Sequence, residues 1–377
     1  MEQMRNKESE QERIRSRSVD LGTLAVEVPS HEARKQAKAR WDQIAKPLHS
    51  LGLLEDAVTA MAGIYRTADF SIKKKALVVM CADNGIVEEG VTQTGQEVTA
   101  VVTRNFTYGH TCVCKMAQQA GVSVFPVDVG VAEALEDLGD RWPLLHKKIV
   151  PGTKNFLKAP AMTEEICCQA IRTGMDLVKE FKEQGYGIIA TGEMGIGNTT
   201  TSSAVASVLL RRAPEEMTGP GSGLSKEGMQ RKIQVIREGI SRHGLNFMGS
   251  IKPEEGFRTL CRVGGLDLAA LAGVFIGGGV YQVPIVADGF ISGTAALAAE
   301  VMVPGVREYV LASHCSKEPA GGLVLEALGL KPVIRGEMCL GEGSGAVALM
   351  PLLDMAMAVY TSMSTFEEIE IESYQPL

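Results

Sequence analysis

The 8 cysteines include no CxxC pair and the 6 histidines no zinc-ligand spacing, so no metal site is expected. Nor does a chain of 377 residues need covalent stapling. Cys81, Cys112, Cys114, Cys167, Cys168, Cys261, Cys315 and Cys339 read as reduced thiols of a cytoplasmic protein. Aromatic residues make up only 5% of the chain, which favours tight backbone turns over stacked aromatic platforms as binding elements. A formal net charge of -7 leaves no broad basic surface, and nucleic acid is not an expected partner. No apolar run follows the mixed-charge opening, so a secretory signal is not expected, and residues 1–30 read as a polar leader, disordered or helical. One stretch, residues 268–287, is free of charge over the minimum length of a membrane span. Gly277, Gly278, Gly279 and Pro284 interrupt it. It is read as a buried helix over 266–276 feeding a buried strand that ends at Asp288, with no membrane partner.

What remains is an ordinary globular composition, 45% hydrophobic and 22% charged, with glycine raised to 41 residues, about 11% against a usual ~7%. The length suits two domains, or one large domain with an appendage. Ala37, Trp41, Ile44, Leu48, Leu51 and Leu54 recur at helical spacing, with a break at Pro47. From Lys75 onward six β-branched runs alternate with helical stretches: ALVVMCADNG, SVFPVDVG, GIIATGEMG, VPIVADG, EYVLASH and PVIRGEM. Parallel strands need crossover helices, so the pattern predicts an α/β fold with a mostly parallel sheet wrapped by helices. Ligands of such sheets bind outside the carboxyl ends of the strands, and the six turns there are expected to line one cleft. The chain closes with an apolar helix and an acidic tail.

Three glycine-rich turns carry the candidate chemistry. GEMGIGNTT (192–200) follows a strand and opens a helix, where free N–H groups attract an anion; a tight turn with Asn198 or Thr199 capping the helix would look the same. The Lys of a P-loop is missing. TGPGSGLS (218–225) precedes a helix carrying Arg231 and Lys232, and fits either a phosphate-side loop or a plain surface turn. LGEGSGA (340–346) matches a dinucleotide fingerprint in letters, yet too little chain follows to complete a βαβ unit. Its Glu342, between two glycines, can instead be approached closely by a ligand. There is no GxSxG elbow, and no loop of calcium-binding pattern in ADNGIVEEGVTQTGQEVTAVVTRNF (82–106).

Together these segments, with ARWDQIAKPLHSLGLLEDAVTAMAGI, CADNGIVEEGV, GGLDLAALAG, ASHCSKEP and LEALGL, resemble the nicotinate-nucleotide:dimethylbenzimidazole phosphoribosyltransferase family over residues 33–371. The resemblance implies a homodimer without cofactor or metal. It implies a Rossmann-like, six-stranded parallel sheet with helices on both faces (71–346) and a small helical domain from both chain ends (31–70 and 347–377). Matching positions imply Glu342 as general base, Glu193 as a second essential carboxylate and Lys232 as a cation near the nucleotide. Gly221, Gly223 and Ser316 match phosphate-side contacts, with Asn198, Thr199 and Asp288 around the nucleotide. Thr94, Val102, Met194 and Leu340 are the expected acceptor-base pocket, the first three at positions that vary among relatives, including phenol users. The substrates so implied are nicotinate mononucleotide and a benzimidazole. The alternatives are a phenol-accepting transferase or a non-catalytic partner subunit of the same family. The chemistry is coherent with the residues present: the sequence has no Asp-Asp pair of the kind diphosphate-leaving transferases use, and a departing pyridinium needs no acid.

Overall fold

The computed structural model describes residues 23–221, 223–245, 251–372 and 374; residues 1–22 of the expected leader lie outside them. Helices α1 (His31–Gln43) and α2 (Leu53–Tyr65) come first, α1 capped by the Ser30 hydroxyl. Strand β1 (Lys75–Ala82) is buried along its whole length. Ala76, Val78, Met80 and Ala82 face one core and Leu77, Val79 and Cys81 the other. A strand apolar on both faces must sit between helical layers, as parallel sheets require.

The following elements are α3 (Glu97–Tyr108), α4 (Cys112–Ala120), β2 (Val122–Gly130), β3 (Leu145–His146), α5 (Glu164–Glu183), β4 (Ile188–Met194), α6 (Asn198–Leu210), the short α7 (Pro214–Met217), α8 (Lys226–Arg242), α9 (Pro253–Val263), α10 (Leu266–Tyr281), β5 (Ile285–Ala287), α11 (Phe290–Met302), β6 (Val310–Ala312), α12 (Gly321–Leu328) and α13 (Ser344–Ser362). The sheet is six-stranded in the order β3-β2-β1-β4-β5-β6, and every pair is parallel. That is the Rossmann-like order, which reverses direction between β1 and β4.

Two expectations about elements are corrected. PVIRGEM is not a strand of the sheet: Ile334 makes one isolated bridge to His314, and the sixth strand is instead β3, beside β2 at the opposite edge. The triple glycine does not end a helix at residue 276, because α10 runs through Gly277, Gly278 and Gly279 to Tyr281. Helices α5 and α10 cross in backbone contact. A side chain at Gly174 would collide with the Ala270 carbonyl, and one at Gly273 with that of Ile171. Close packing outweighs the ~1 kcal/mol per glycine that the helix forfeits.

On the other face, α1, α2, α4 and α13 share a core cluster with Leu77 and Val79 of β1. Trp41 and Tyr360 bring both chain ends together, with ring centroids 5.0 Å apart. Helix α13 is long and apolar enough to cross a membrane by composition, but Ala346, Val347, Leu349, Met350 and Leu353 are buried in this cluster.

Candidate active site

Strand β4 leads into the site. Glu193 is its penultimate residue and lies 7% exposed at the carboxyl end of the sheet. Its carboxylate accepts the Asn198 side-chain amide from the first turn of α6, and the same amide reaches Asp267 Oδ2 at 3.1 Å. Among the described residues, no Lys or Arg pairs with Glu193, Asp267 or Asp288; the closest cationic candidate is His314, 3.9 Å from Asp288. Burial, reinforced by the Asp267 charge, therefore pushes Glu193 up to about 8. Burial also lifts Asp267 to about 6 and Asp288 to about 7, against hydrogen bonds that pull each down.

The Glu342 turn lies directly on β4, because Gly192 has no side chain to hold the Glu342 carbonyl away. Glu342 has φ 59 and Gly343 φ 91, a left-handed pair that opens α13. Asp288, just after β5, fixes this turn: its carboxylate accepts the N–H groups of Gly343 (3.2 Å), Gly345 (2.7 Å) and Ala346 (3.1 Å). Asp288 is thus occupied as a helix cap supplied from another strand. The Glu342 carboxylate accepts the Val113 N–H at 3.2 Å, at the start of α4, through one oxygen. Burial raises its proton affinity, while Val113 and Thr111 pull it down.

Lys232 is not the solvated helix charge it would be in isolation. It is 1% exposed, and its Nζ donates to Thr199 Oγ1 (2.9 Å) and the Gly219 carbonyl (3.1 Å). Burial lowers it to about 8, with Glu318 opposing. Helix α6 takes Gly197 at φ 93 as its cap, which frees Asn198 and Thr199 for these polar contacts.

A cleft opens above these groups, walled by Glu193, Met194, Asn198, Thr199, Gly221, Lys232, Asp288, Ser316, Leu340 and Glu342. Gly223, at φ 106, stands outside the wall, its carbonyl accepting from Gln93. Thr94 and Val102 are also not brought to it. Thr94 is exposed, with its carbonyl taking the Thr92 hydroxyl, and Val102 packs on the core shared with α13. Val91 and Thr92 line the cleft on that side. The six-turn cleft is corrected in part: the turns after β4, β5 and β6 and the turn at 341–345 reach it, whereas Asp83 and Asp128, after β1 and at the end of β2, accept backbone N–H groups of the 131–132 loop. Asp267, His314 and Glu318 were missed as site residues. The available signal was an acid opening an otherwise uncharged helix (Asp267), and a His and a Glu flanking the loop after β6.

The sequence profile of a phosphoribosyltransferase family matches residues 26–371. The chain is 44% identical over 346 residues to the nicotinate-nucleotide–dimethylbenzimidazole phosphoribosyltransferase of Ruminiclostridium cellulolyticum, covering 92% of this chain and 96% of that one. The chain belongs to this phosphoribosyltransferase family. The Clostridium acetobutylicum member is 43% identical over the same share of both chains. Among solved structures, CobT from Thermus thermophilus superposes with a TM-score of 0.83 at 37% identity, covering 91% of this chain and all of that one. A second structure of the Thermus thermophilus phosphoribosyltransferase gives 0.82 at 36% identity. The cleft divides into an acidic floor (Glu193 and Asp288, with Asp267 buried behind Asn198), a glycine-held carboxylate (Glu342) and a cationic end (Lys232, Thr199, Gly221). No group of three or more His, Cys, Asp or Glu side chains among the described residues could hold a metal ion.

Proposed function

We infer that the chain transfers the 5-phosphoribosyl group of nicotinate mononucleotide to 5,6-dimethylbenzimidazole or a close benzimidazole. The products are nicotinate and alpha-ribazole 5'-phosphate, the nucleotide-loop precursor of cobalamin. The observation that carries this reading is the Glu342 carboxylate, one oxygen held by Val113 and the residue itself on the cleft wall, in the same cleft as the Lys232–Thr199 end. The relatives named for this reaction supply the substrates.

The C1'–N bond to nicotinate breaks with its electron pair going to the pyridinium nitrogen, which leaves neutral. The unprotonated benzimidazole nitrogen attacks C1' from the opposite face, giving the α-nucleotide. Its other nitrogen sheds a proton to Glu342, whose burial makes it a better base than a solvated carboxylate. Glu193, raised to about 8, is largely protonated at neutral pH and can donate a hydrogen bond as well as accept one. Lys232, Thr199, Gly221 and Ser316 form the phosphate side. Met194 and Leu340 offer the acceptor a deformable apolar wall with few fixed polar contacts.

A homodimer in the cytoplasm is the proposed working form, with 31–70 and 347–377 as its small helical unit. All eight cysteines are free, which suits a reducing compartment, and light scattering on the purified chain tests the dimer. The activity test is incubation with nicotinate mononucleotide and competing acceptors, following nicotinate release. Several benzimidazoles are expected to react, dimethylbenzimidazole among the good ones, since one methyl in an apolar pocket is worth only ~1–3 kcal/mol. Phenols should react poorly, because a phenol of pKa ~10 must ionise before it attacks. A phenol that outcompetes every benzimidazole refutes the acceptor assignment, and no nicotinate release with any acceptor refutes the reaction.

A further inference from the structure

The cationic end of the cleft contains a carboxylate for which the transfer reaction has no use. Glu318 follows Ser316 in the loop after β6 and is half-buried on the cleft wall. Its carboxylate rests so closely on the 219–221 turn that a side chain at Gly219 would collide with it. The Gly221 N–H, at a residue with φ 56, faces the same carboxylate. Lys232 grips this turn from the other side through the Gly219 carbonyl and Thr199, and its third hydrogen has no acceptor among the described residues. Ser316 Oγ accepts the Glu318 N–H at 3.2 Å, so its own hydrogen is free to be donated.

A left-handed glycine N–H, an ammonium and a hydroxyl are the donors a phosphate monoester recruits. Here an anionic side chain already stands among them. One lysine cannot neutralise a carboxylate and a phosphate dianion together, so both cannot occupy this end in their charged forms at low cost.

We propose that Glu318 is an internal stand-in for the 5'-phosphate: it holds the 219–221 turn and Lys232 in the binding arrangement while the cleft is empty, and is displaced when a phosphate monoester enters. Displacement weakens the binding of every phosphorylated ligand, product as well as substrate, and so speeds release of the product nucleotide. The proposal rests on the phosphoribosyltransferase reading of the cleft and adds a competitor to it.

The test uses the full chain carrying Glu318→Gln, which keeps an acceptor for the Gly221 N–H and removes the charge, and separately Glu318→Ala. Calorimetric titration with inorganic phosphate and with nicotinate mononucleotide is expected to show both binding about tenfold tighter in the Gln variant, the usual scale of a removed like charge nearby. Nicotinate riboside, which lacks the phosphate, should bind as in the unmodified chain. In turnover, KM for the mononucleotide should fall together with kcat, because the product keeps its phosphate. Unchanged or weaker phosphate binding in both variants, with the unmodified chain active, overturns the proposal alone. If the unmodified chain binds neither phosphate nor the mononucleotide, the reading of the cleft falls and takes the proposal with it.

Discussion

Glu193→Gln should stabilise the fold at alkaline pH while impairing turnover. In the folded chain the Glu193 carboxyl is raised from 4.5 to about 8, which penalises its ionised form by roughly 4–5 kcal/mol. Because the folded state holds the proton more tightly than the unfolded one, the group's favourable contribution is complete below its unfolded pKa and is lost as pH rises through about 8. Between pH 5 and 8 that linkage amounts to about 3.5 kcal/mol if Glu193 titrates alone. Asp267 and Asp288 share the same field, and dividing the protons among three acids reduces the part belonging to Glu193 to about 2–3 kcal/mol. Glutamine keeps one oxygen for the Asn198 amide but turns an NH2 towards the Glu342 N–H that the carboxylate now accepts, a loss of ~1 kcal/mol at every pH. The variant should therefore match the unmodified chain or fall slightly below it at pH 5, and exceed it by about 1–2 kcal/mol at pH 8. Urea unfolding of the substrate-free protein at pH 5, 6.5 and 8, with equal m-values, measures this. A stability difference that does not change with pH, or a variant less stable at pH 8, would refute the idea of a buried, under-neutralised acid.

Glu342→Gln should leave nucleotide binding intact and lower kcat by roughly 10² to 10⁴, as steady-state kinetics would show; near-normal turnover in a folded variant removes it as the base. Asp288→Asn confronts the three N–H groups of the 343–346 turn with a single acceptor oxygen, which should cost ~2–3 kcal/mol in denaturant unfolding and lower kcat more than it raises KM for the mononucleotide. Gly341→Ala puts a methyl into the Glu193 carboxylate at a residue with φ 86, so kcat should drop with little change in mononucleotide affinity, checked by calorimetry beside kinetics. Trp41→Ala empties a site that is 2% exposed between the two chain ends and should destabilise the chain by ~3–5 kcal/mol in thermal or urea melts.

Local chemistry makes much of this protein legible in its sequence. Residues buried on both faces of β1 announce themselves as an unbroken apolar run, and alternating helices force such runs to pair in parallel. A glutamate between two glycines in LGEGSGA is a signal of unusual backbone, and Glu342 does adopt φ 59. Where the reading failed, a distant partner decided the outcome. Leu145 and His146 have no strand signature of their own and become β3 only because β2 presents an open edge. The glycines of α10 look like a helix terminator and instead admit close neighbours: α5 lies on Gly273 and Gly277, the Val283–Ile285 segment on Gly278 and Val26 on Gly279. Val102 follows the Thr92 loop that does line the cleft, yet its face of α3 turns to the core.

By itself the sequence determined the α/β alternation, the glycine turns at the strand ends and the identities of the acids and the lysine, since each depends on spacing within a few residues. Only the tertiary structure decided which charges lose their water. Glu193, Asp267 and Asp288 come from three separate segments and converge with no Lys or Arg among the described residues paired to them, while Lys232 is drawn under the 219–221 turn. Proton affinity depends on the solvent and charge within a few ångströms, and which atoms occupy that space is fixed by chain segments far apart in sequence.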